Sequence, residues 1–273
     1  MMHHMYAQVI KAAFDGEVRT AEFDYRGAVG CLMHLANCTR PDIANGVRFL
    51  STYVSSYTDI HVKLAKRMLK YLEVTADLGL YYDASRGEGL NSAVSSFSSE
   101  NMCELLSAYT DASWADNYDD GTSNSGLCIM VGQCLVMWRS VKQRVIANST
   151  MESEYIAMSH CVSEIQYLRD LVGEICETYN EVPIESSGSE AVGNIMEAVK
   201  VYGDNTASIV VGNASYHTKR SRHINVRFHN VKDAVRGSLI TLEYIPSKQN
   251  KADFFTKCLG VPTFRYLRGM FMQ

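Results

Sequence analysis

Between Tyr25 and Tyr82 the apolar residues recur at helical spacing. Thr39-Arg40-Pro41-Asp42 reads as a helix start, with Thr39 as its cap and Pro41 in its first turn. Ile43, Val47, Leu50 and Val54 then follow on one face. A second helix fits His61 to Glu73, where Leu64, Ala65, Met68, Leu69 and Leu72 make a stripe and Lys63, Lys66, Arg67 and Lys70 lie mostly off it. Residues 83–104 are rich in Ser and Gly and read as a linker. From Leu105 the pattern changes. Leu105–Ser113, Ser125–Val131 and Cys134–Ser140 predict three strands, the last two joined by a tight turn at Gly132-Gln133. A long helix is predicted over Met151–Ile175, then a polar surface insertion (Glu177–Asn194) and a short strand, Val199–Gly203. Helices at 205–212 and 224–236, a strand at Ile240–Ile245 and a last helix from Ala252 complete the series. The order β-β-β-α-β-α-α-β-α predicts an α/β fold, a mixed five-stranded sheet flanked by helices, over 105–273. A small helical segment, 1–82, precedes it.

Composition narrows the class. The chain has 273 residues, of which 47% are hydrophobic and 21% charged, as in an ordinary folded protein. No apolar run approaches the ~18–20 residues of a membrane span, and no charged-then-apolar leader opens the sequence, so neither membrane insertion nor a signal peptide is expected. The eight cysteines are scattered and form no C-x-x-C pair, which argues against a zinc ribbon or thioredoxin-like site. Reduced thiols in a cytoplasmic or nuclear, intracellular protein are the expectation. In that setting the N-x-S/T triplets at Asn37, Asn148 and Asn213 are chance matches. Net charge is −4, yet its distribution is uneven. From His217 to Arg236 there are six Lys/Arg against one acid, and from Gln133 to Thr150 there are Arg139, Lys142 and Arg144 with no acid. Such patches meet phosphates even on an acidic protein, although a solvated surface explains charge alone equally well.

Four acids sit where a predicted element ends or begins: Asp111 in the first strand, Glu154 at the head of the long helix, Asp204 after the short strand and Asp253 at the last helix. Steps of three and four residues from Glu154 reach Ala157/Met158, Cys161, Ile165, Leu168, Val172 and Ile175, the apolar face of that helix. Glu154 therefore extends the face that packs on the sheet. Glu152, roughly 160° away, is expected to face solvent. A carboxylate on a buried face is costly unless paired or metal-bound. Alone, each Asp reads equally well as a turn or cap residue, and Glu154 as an acid at a helix N-terminus. Together, oxygen-only donors suit Mg²⁺, with Mn²⁺ as a substitute, and not zinc.

The residues around these acids carry a resemblance. Tyr109-Thr110-Asp111-Ala112-Ser113-Trp114-Ala115, Ser123-Asn124-Ser125-Gly126, Trp138-Arg139-Ser140-Val141-Lys142-Gln143, Ser149 to Ala157, Gly203-Asp204-Asn205, Arg222 to His229 and Ala252-Asp253-Phe254-Phe255-Thr256-Lys257 occur in one order. That order resembles the ribonuclease H domain of copia-type retrotransposon Pol polyproteins. Upstream, Tyr25 to Gly30, Thr39 to Ala44 and Lys66 to Leu72 resemble the segment after the polymerase core, so the likeness runs from about residue 20 to 272. It implies a ribonuclease H-like fold and endonucleolytic hydrolysis of the RNA strand of an RNA/DNA hybrid by a two-metal mechanism. It also implies that Asp111, Glu154, Asp204 and Asp253 hold two Mg²⁺ ions. The implied partners are the hybrid and the polymerase part of the same polyprotein. Arg139, Lys142, Arg144, Lys219, Arg220 and Arg222 are the candidate backbone contacts, since hybrids are read by shape, phosphate and 2′-hydroxyl. Trp138 offers a binding platform, although strand packing is its commoner use.

Some features depart from the family or mimic something else. The polymerase active site is missing from the sequence, and Tyr118-Asp119-Asp120 in a polar loop only imitates a polymerase fragment. The 177–194 insertion is longer than the resemblance leads one to expect. The loop from Ser247 to Lys251 has no histidine of the kind cellular ribonucleases H often carry there. His217, His223 and His229 recur every six residues, which is no helical ligand spacing. Three readings follow: an active hybrid nuclease, a domesticated or decayed remnant that binds nucleic acid or a protein without catalysis, and an integrase- or resolvase-type member of the superfold. Cutting of hybrid, binding without cutting, and cutting of duplex DNA separate them.

Overall fold

A computed structural model of the chain describes residues 23–82, 106–117, 119–180, 198–214 and 229–273. The expected linker at 83–104 lies outside the described residues, as do Tyr118, Lys219, Arg220, Arg222 and most of the 177–194 insertion. The chain divides into two compact units, Met1–Tyr81 with Met272–Gln273, and Tyr82–Phe271.

The first unit is helical: α1 (Tyr25–Cys38), a 3₁₀ turn (Pro41–Ile43), α2 (Ala44–Thr52) and α3 (Asp59–Val74). Asp24 caps α1 by accepting from the Gly27 N–H. The expected cap at Thr39 is not one. Its backbone N–H closes α1 on the Leu35 carbonyl, and Arg40 precedes the 3₁₀ turn that Pro41 opens. Val29, Leu32, Val47, Leu50, Ala65, Leu69 and Leu72 fill the core. Leu64, which belongs to the expected stripe, is exposed instead, because Ala65 and Leu69 take the inward positions. Beneath this core Arg40 is fully buried. It grips Asp42 with two hydrogen bonds (2.9 and 2.7 Å) and donates to the Thr75 carbonyl and hydroxyl. Tyr71 adds a 2.6 Å bond to Asp42.

The second unit carries β1 (Leu106–Ser113), β2 (Asn124–Val131), β3 (Cys134–Lys142), α4 (Thr150–Asn180), β4 (Val199–Gly203), α5 (Thr206–Asn213), α6 (Asn230–Arg236), β5 (Ile240–Tyr244), α7 (Asp253–Thr256) and α8 (Val261–Phe271). The sheet order is β3-β2-β1-β4-β5. The first three strands are antiparallel, and β1-β4 and β4-β5 are parallel. Gly132 adopts φ 58° in the β2-β3 turn, a conformation that favours glycine. Helix α4 lays Tyr155, Met158, Cys161, Val162 and Ile165 against Ala108, Leu127, Ile129 and Val201 of the sheet. That buried, close-packed layer fixes β1 as the central strand and α4 as its cover. The last helix expected from Ala252 is two pieces. The four-residue α7 ends at Thr256, Lys257 is extended, and α8 begins only at Val261.

Two contacts set where α7 lies. Asn250, itself buried, donates to the Thr110 carbonyl (2.9 Å) and accepts from the Ala252 N–H (3.1 Å), pinning the chain just before the helix. Gly126 stands directly opposite Asp111 in the β1-β2 register. A Cβ there would come within 2.5 Å of Thr256 Cγ2 and 2.9 Å of the Ala252 carbonyl, so the missing side chain is what lets α7 touch the sheet.

Candidate metal centre

The carboxylates converge because of strand direction. Tyr109 pairs with Tyr202 in the parallel β1-β4 ladder, so Asp111 and Asp204, each two residues further on, leave the sheet at the same rim. Asp253 heads α7, which Gly126 and Asn250 hold against that rim. Asp111, Asp204 and Asp253 each offer an oxygen, and these oxygens lie within 4.8 Å of one another. Glu154, in the first turns of α4, is buried at 6% exposure. Its carboxyl accepts a backbone hydrogen bond from Ala112, and its Oε2 has no hydrogen-bond partner.

Crowding shows in the acidities. Burial, followed by the charges of Asp111 and Asp204, pushes Glu154 up from 4.5 to about 9. Burial and Asp111 raise Asp253 from 3.8 to about 6, against the pull of Lys257. One ammonium stands among these acids. Lys257 Nζ lies 3.0 Å from Asp111 Oδ1 and 2.6 Å from Asp253 Oδ1. Burial pulls its pKa down, but Asp111 and Asp253 outweigh that and leave it raised. The Thr256 hydroxyl donates to Asp111 Oδ2. A hard divalent cation fits this set: every donor is a carboxylate oxygen, like charges press together, and one buried oxygen of Glu154 is unpaired.

Glu152 corrects an expectation. It is buried at 6% exposure, not solvent-facing. Ser149 accepts from the Glu152 N–H (3.2 Å), and Glu152 Oε2 accepts from the Asn148 N–H (2.8 Å) and side-chain amide (3.1 Å). Ser149-Thr150-Met151-Glu152 is a capping-box sequence whose glutamate reaches one residue further back than usual. The helical wheel carries no information about such a turn-back.

The basic candidates are distributed unevenly. Arg139 is paired with Glu164 (2.7 Å) and Lys142 with Asp120 (2.6 Å), while Arg144 is exposed. In the expected 217–236 patch, the described part offers little: Lys232 is buried and Arg236 faces Asp233. Trp138 is half-buried in β3. Trp114, just past Asp111, is the more exposed ring at 48%, held by an Nε1 bond to the Ala147 carbonyl. In the sequence Thr256 and Lys257 stand out only as part of the Ala252–Lys257 motif. Their signal was present: Lys257 stands four residues after Asp253, the spacing of a helical ion pair.

A sheet ordered 3-2-1-4-5, with three antiparallel strands, two parallel ones and carboxylates at the central rim, defines a ribonuclease H-like fold. Over most of its length the chain is homologous to copia-type retrotransposon Pol polyproteins. It is 30% identical over 243 residues to the retrovirus-related Pol polyprotein from transposon RE2 of Arabidopsis thaliana, a match that covers 89% of this chain. It spans only 14% of that polyprotein's length. A secreted RxLR effector protein, 161, of Plasmopara viticola is 35% identical over 144 residues, covering 53% of this chain and 90% of the effector. Among solved structures, LC11 ribonuclease H1 isolated from compost aligns over 55% of this chain and 91% of its own, with 16% identity and a TM-score of 0.35. No protein-family model matches the chain. Among the described residues no helix is long and apolar enough to cross a membrane.

Proposed function

We propose that the chain hydrolyses the RNA strand of RNA/DNA hybrids endonucleolytically, with Asp111, Glu154, Asp204 and Asp253 holding Mg²⁺, or Mn²⁺ in its place. The observation that carries this reading is the gathering of acidic oxygens at one sheet rim beside a buried, unpaired Glu154 oxygen. When bound, divalent ions supply Lewis acidity to the scissile phosphate and make water nucleophilic near neutral pH. The chain's own residues do the rest. Asp111, on the central strand, would be the common donor, since Asp204 and Asp253 both lie within 4.8 Å of it and its charge acts on Glu154. The Ala112 hydrogen bond limits rotation of the Glu154 carboxyl and the Thr256 hydrogen bond that of Asp111.

Arg139, Lys142 and Arg144 would hold the hybrid's backbone, together with Lys219, Arg220 and Arg222. The pairs Arg139–Glu164 and Lys142–Asp120 are part-exposed, and such pairs contribute about 0–1 kcal/mol, so exchanging a carboxylate for a phosphate costs little. In the same reading, 105–273 is the nuclease domain, 83–104 its linker, and 1–82 the part that adjoins a polymerase.

Purified protein with a labelled hybrid tests this. Cleavage is expected with Mg²⁺ or Mn²⁺, is expected to vanish with chelator, and is expected to fall at least ~10³-fold in Asp111→Asn. Cleavage that survives Asp111→Asn refutes the site. Hybrid binding without cleavage favours the non-catalytic remnant, and cutting of duplex DNA favours the resolvase-type reading.

A further inference from the structure

We propose that Lys257 is a built-in counter-cation of the carboxylate rim: a divalent ion must displace it to bind between Asp111 and Asp253, so Lys257 sets how many ions the rim holds. This inference rests on the metal-binding reading above.

The rim has two unlike edges. At one, Lys257 Nζ bridges Asp111 Oδ1 (3.0 Å) and Asp253 Oδ1 (2.6 Å), while the neighbouring Thr256 hydroxyl takes Asp111 Oδ2. The two-residue unit Thr256-Lys257 thus engages both oxygens of a carboxylate that is only 1% exposed. At the other, Glu154 Oε2 has no hydrogen-bond partner, and Asp204 lies within 4.8 Å of both Asp111 and Asp253. An ammonium and a divalent cation cannot share Asp253 Oδ1. A magnesium–oxygen bond is about 2.1 Å long, which would bring the two positive centres close enough to repel strongly across a partly buried site. Lys257 has a way out, because its side chain is 37% exposed. It is also tethered, one turn after Asp253, so it returns whenever the ion leaves. The edge that Lys257 leaves open, at Glu154, should therefore fill first, and the position that needs Asp253 Oδ1 only against the lysine.

Calorimetric titration of the full chain with Mn²⁺ reads this directly, without any turnover. Two binding steps are expected in the wild type. Lys257→Met, which keeps the aliphatic stem and removes the charge, should tighten the weaker step at least roughly tenfold, whereas Lys257→Arg should leave it weak. A second measurement uses the unaltered protein, so it does not depend on how the variants fold. The Lys257 NζH₃⁺ resonance should be protected in metal-free protein and should lose that protection at saturating Mg²⁺. Equal Mn²⁺ affinities in the wild type and Lys257→Met, or a Lys257 resonance indifferent to Mg²⁺, overturn the inference and leave the metal site standing. Failure of the wild type and both variants to bind Mn²⁺ overturns the inference and the metal-site reading together.

Discussion

Arg40 and Asp42 in the helical unit are matched partner for partner, whereas the rim of the sheet gathers Asp111, Glu154, Asp204 and Asp253 with Lys257 bridging Asp111 and Asp253. Both clusters are largely buried. The first uses guanidinium, carboxylate, Thr75 and Tyr71 to satisfy the buried charges by hydrogen bonds. The second leaves acids raised by burial and by their neighbours, and an oxygen unpaired. Natural folds seldom keep buried charge uncompensated. A saturated cluster therefore speaks of architecture, and an undersaturated one speaks of a ligand.

Substitutions widen or close that contrast. The largest effect on stability belongs to Arg40→Met, which strands Asp42 in the core. Urea unfolding should show a loss of about 3–5 kcal/mol for the helical unit, unchanged by Mg²⁺. Gly126→Ala should cost about 1–3 kcal/mol through the clash with α7, and should also diminish the gain in melting temperature expected from Mg²⁺, because Asp253 moves with the helix. Asp204→Asn should go the other way. It relieves Glu154 and Asp253, adding on the order of 1 kcal/mol to the metal-free protein while weakening stabilisation by Mg²⁺, as thermal melts with and without chelator would reveal. A fall in metal-free stability on Asp204→Asn would mean that the rim is as saturated as the Arg40 cluster.

A gentler probe is pH. In the folded protein Glu154 titrates at about 9 instead of 4.5, and Asp253 at about 6 instead of 3.8. The folded state thus holds protons that the unfolded chain releases. The stability these two groups contribute is complete below their unfolded values and is lost as pH rises, through about 6 for Asp253 and about 9 for Glu154. Saturating Mg²⁺ should flatten that slope, because a bound cation favours the deprotonated acids. A metal-free melting temperature that climbs with pH across this window contradicts the picture.

The pattern of residues made some parts of this molecule legible. Short apolar runs bounded by turn residues marked β1, β2 and β3, and Gly132-Gln133 marked the β2-β3 turn, because strand propensity and turn chemistry are local properties. The apolar face of α4 pointed Glu154 towards the sheet by the same logic. What escaped depended on contacts between distant segments or on side chains that fold back. Glu152 capped its own helix instead of facing water, Thr39 closed one helix instead of opening the next, and the helix from Ala252 broke after one turn. The role of Gly126 depends on a neighbour more than a hundred residues later in the chain.

Asp111 meets Thr256 across 145 residues, and Asn250 meets Thr110 across 140. Contacts of such range are slow to form, since a long loop must be closed before they stabilise anything. During synthesis, the early strand bearing Asp111 waits without its partners until the segment around Lys257 has left the ribosome. The carboxylate rim would therefore be completed late, only after β5 and the segment that follows it have been made.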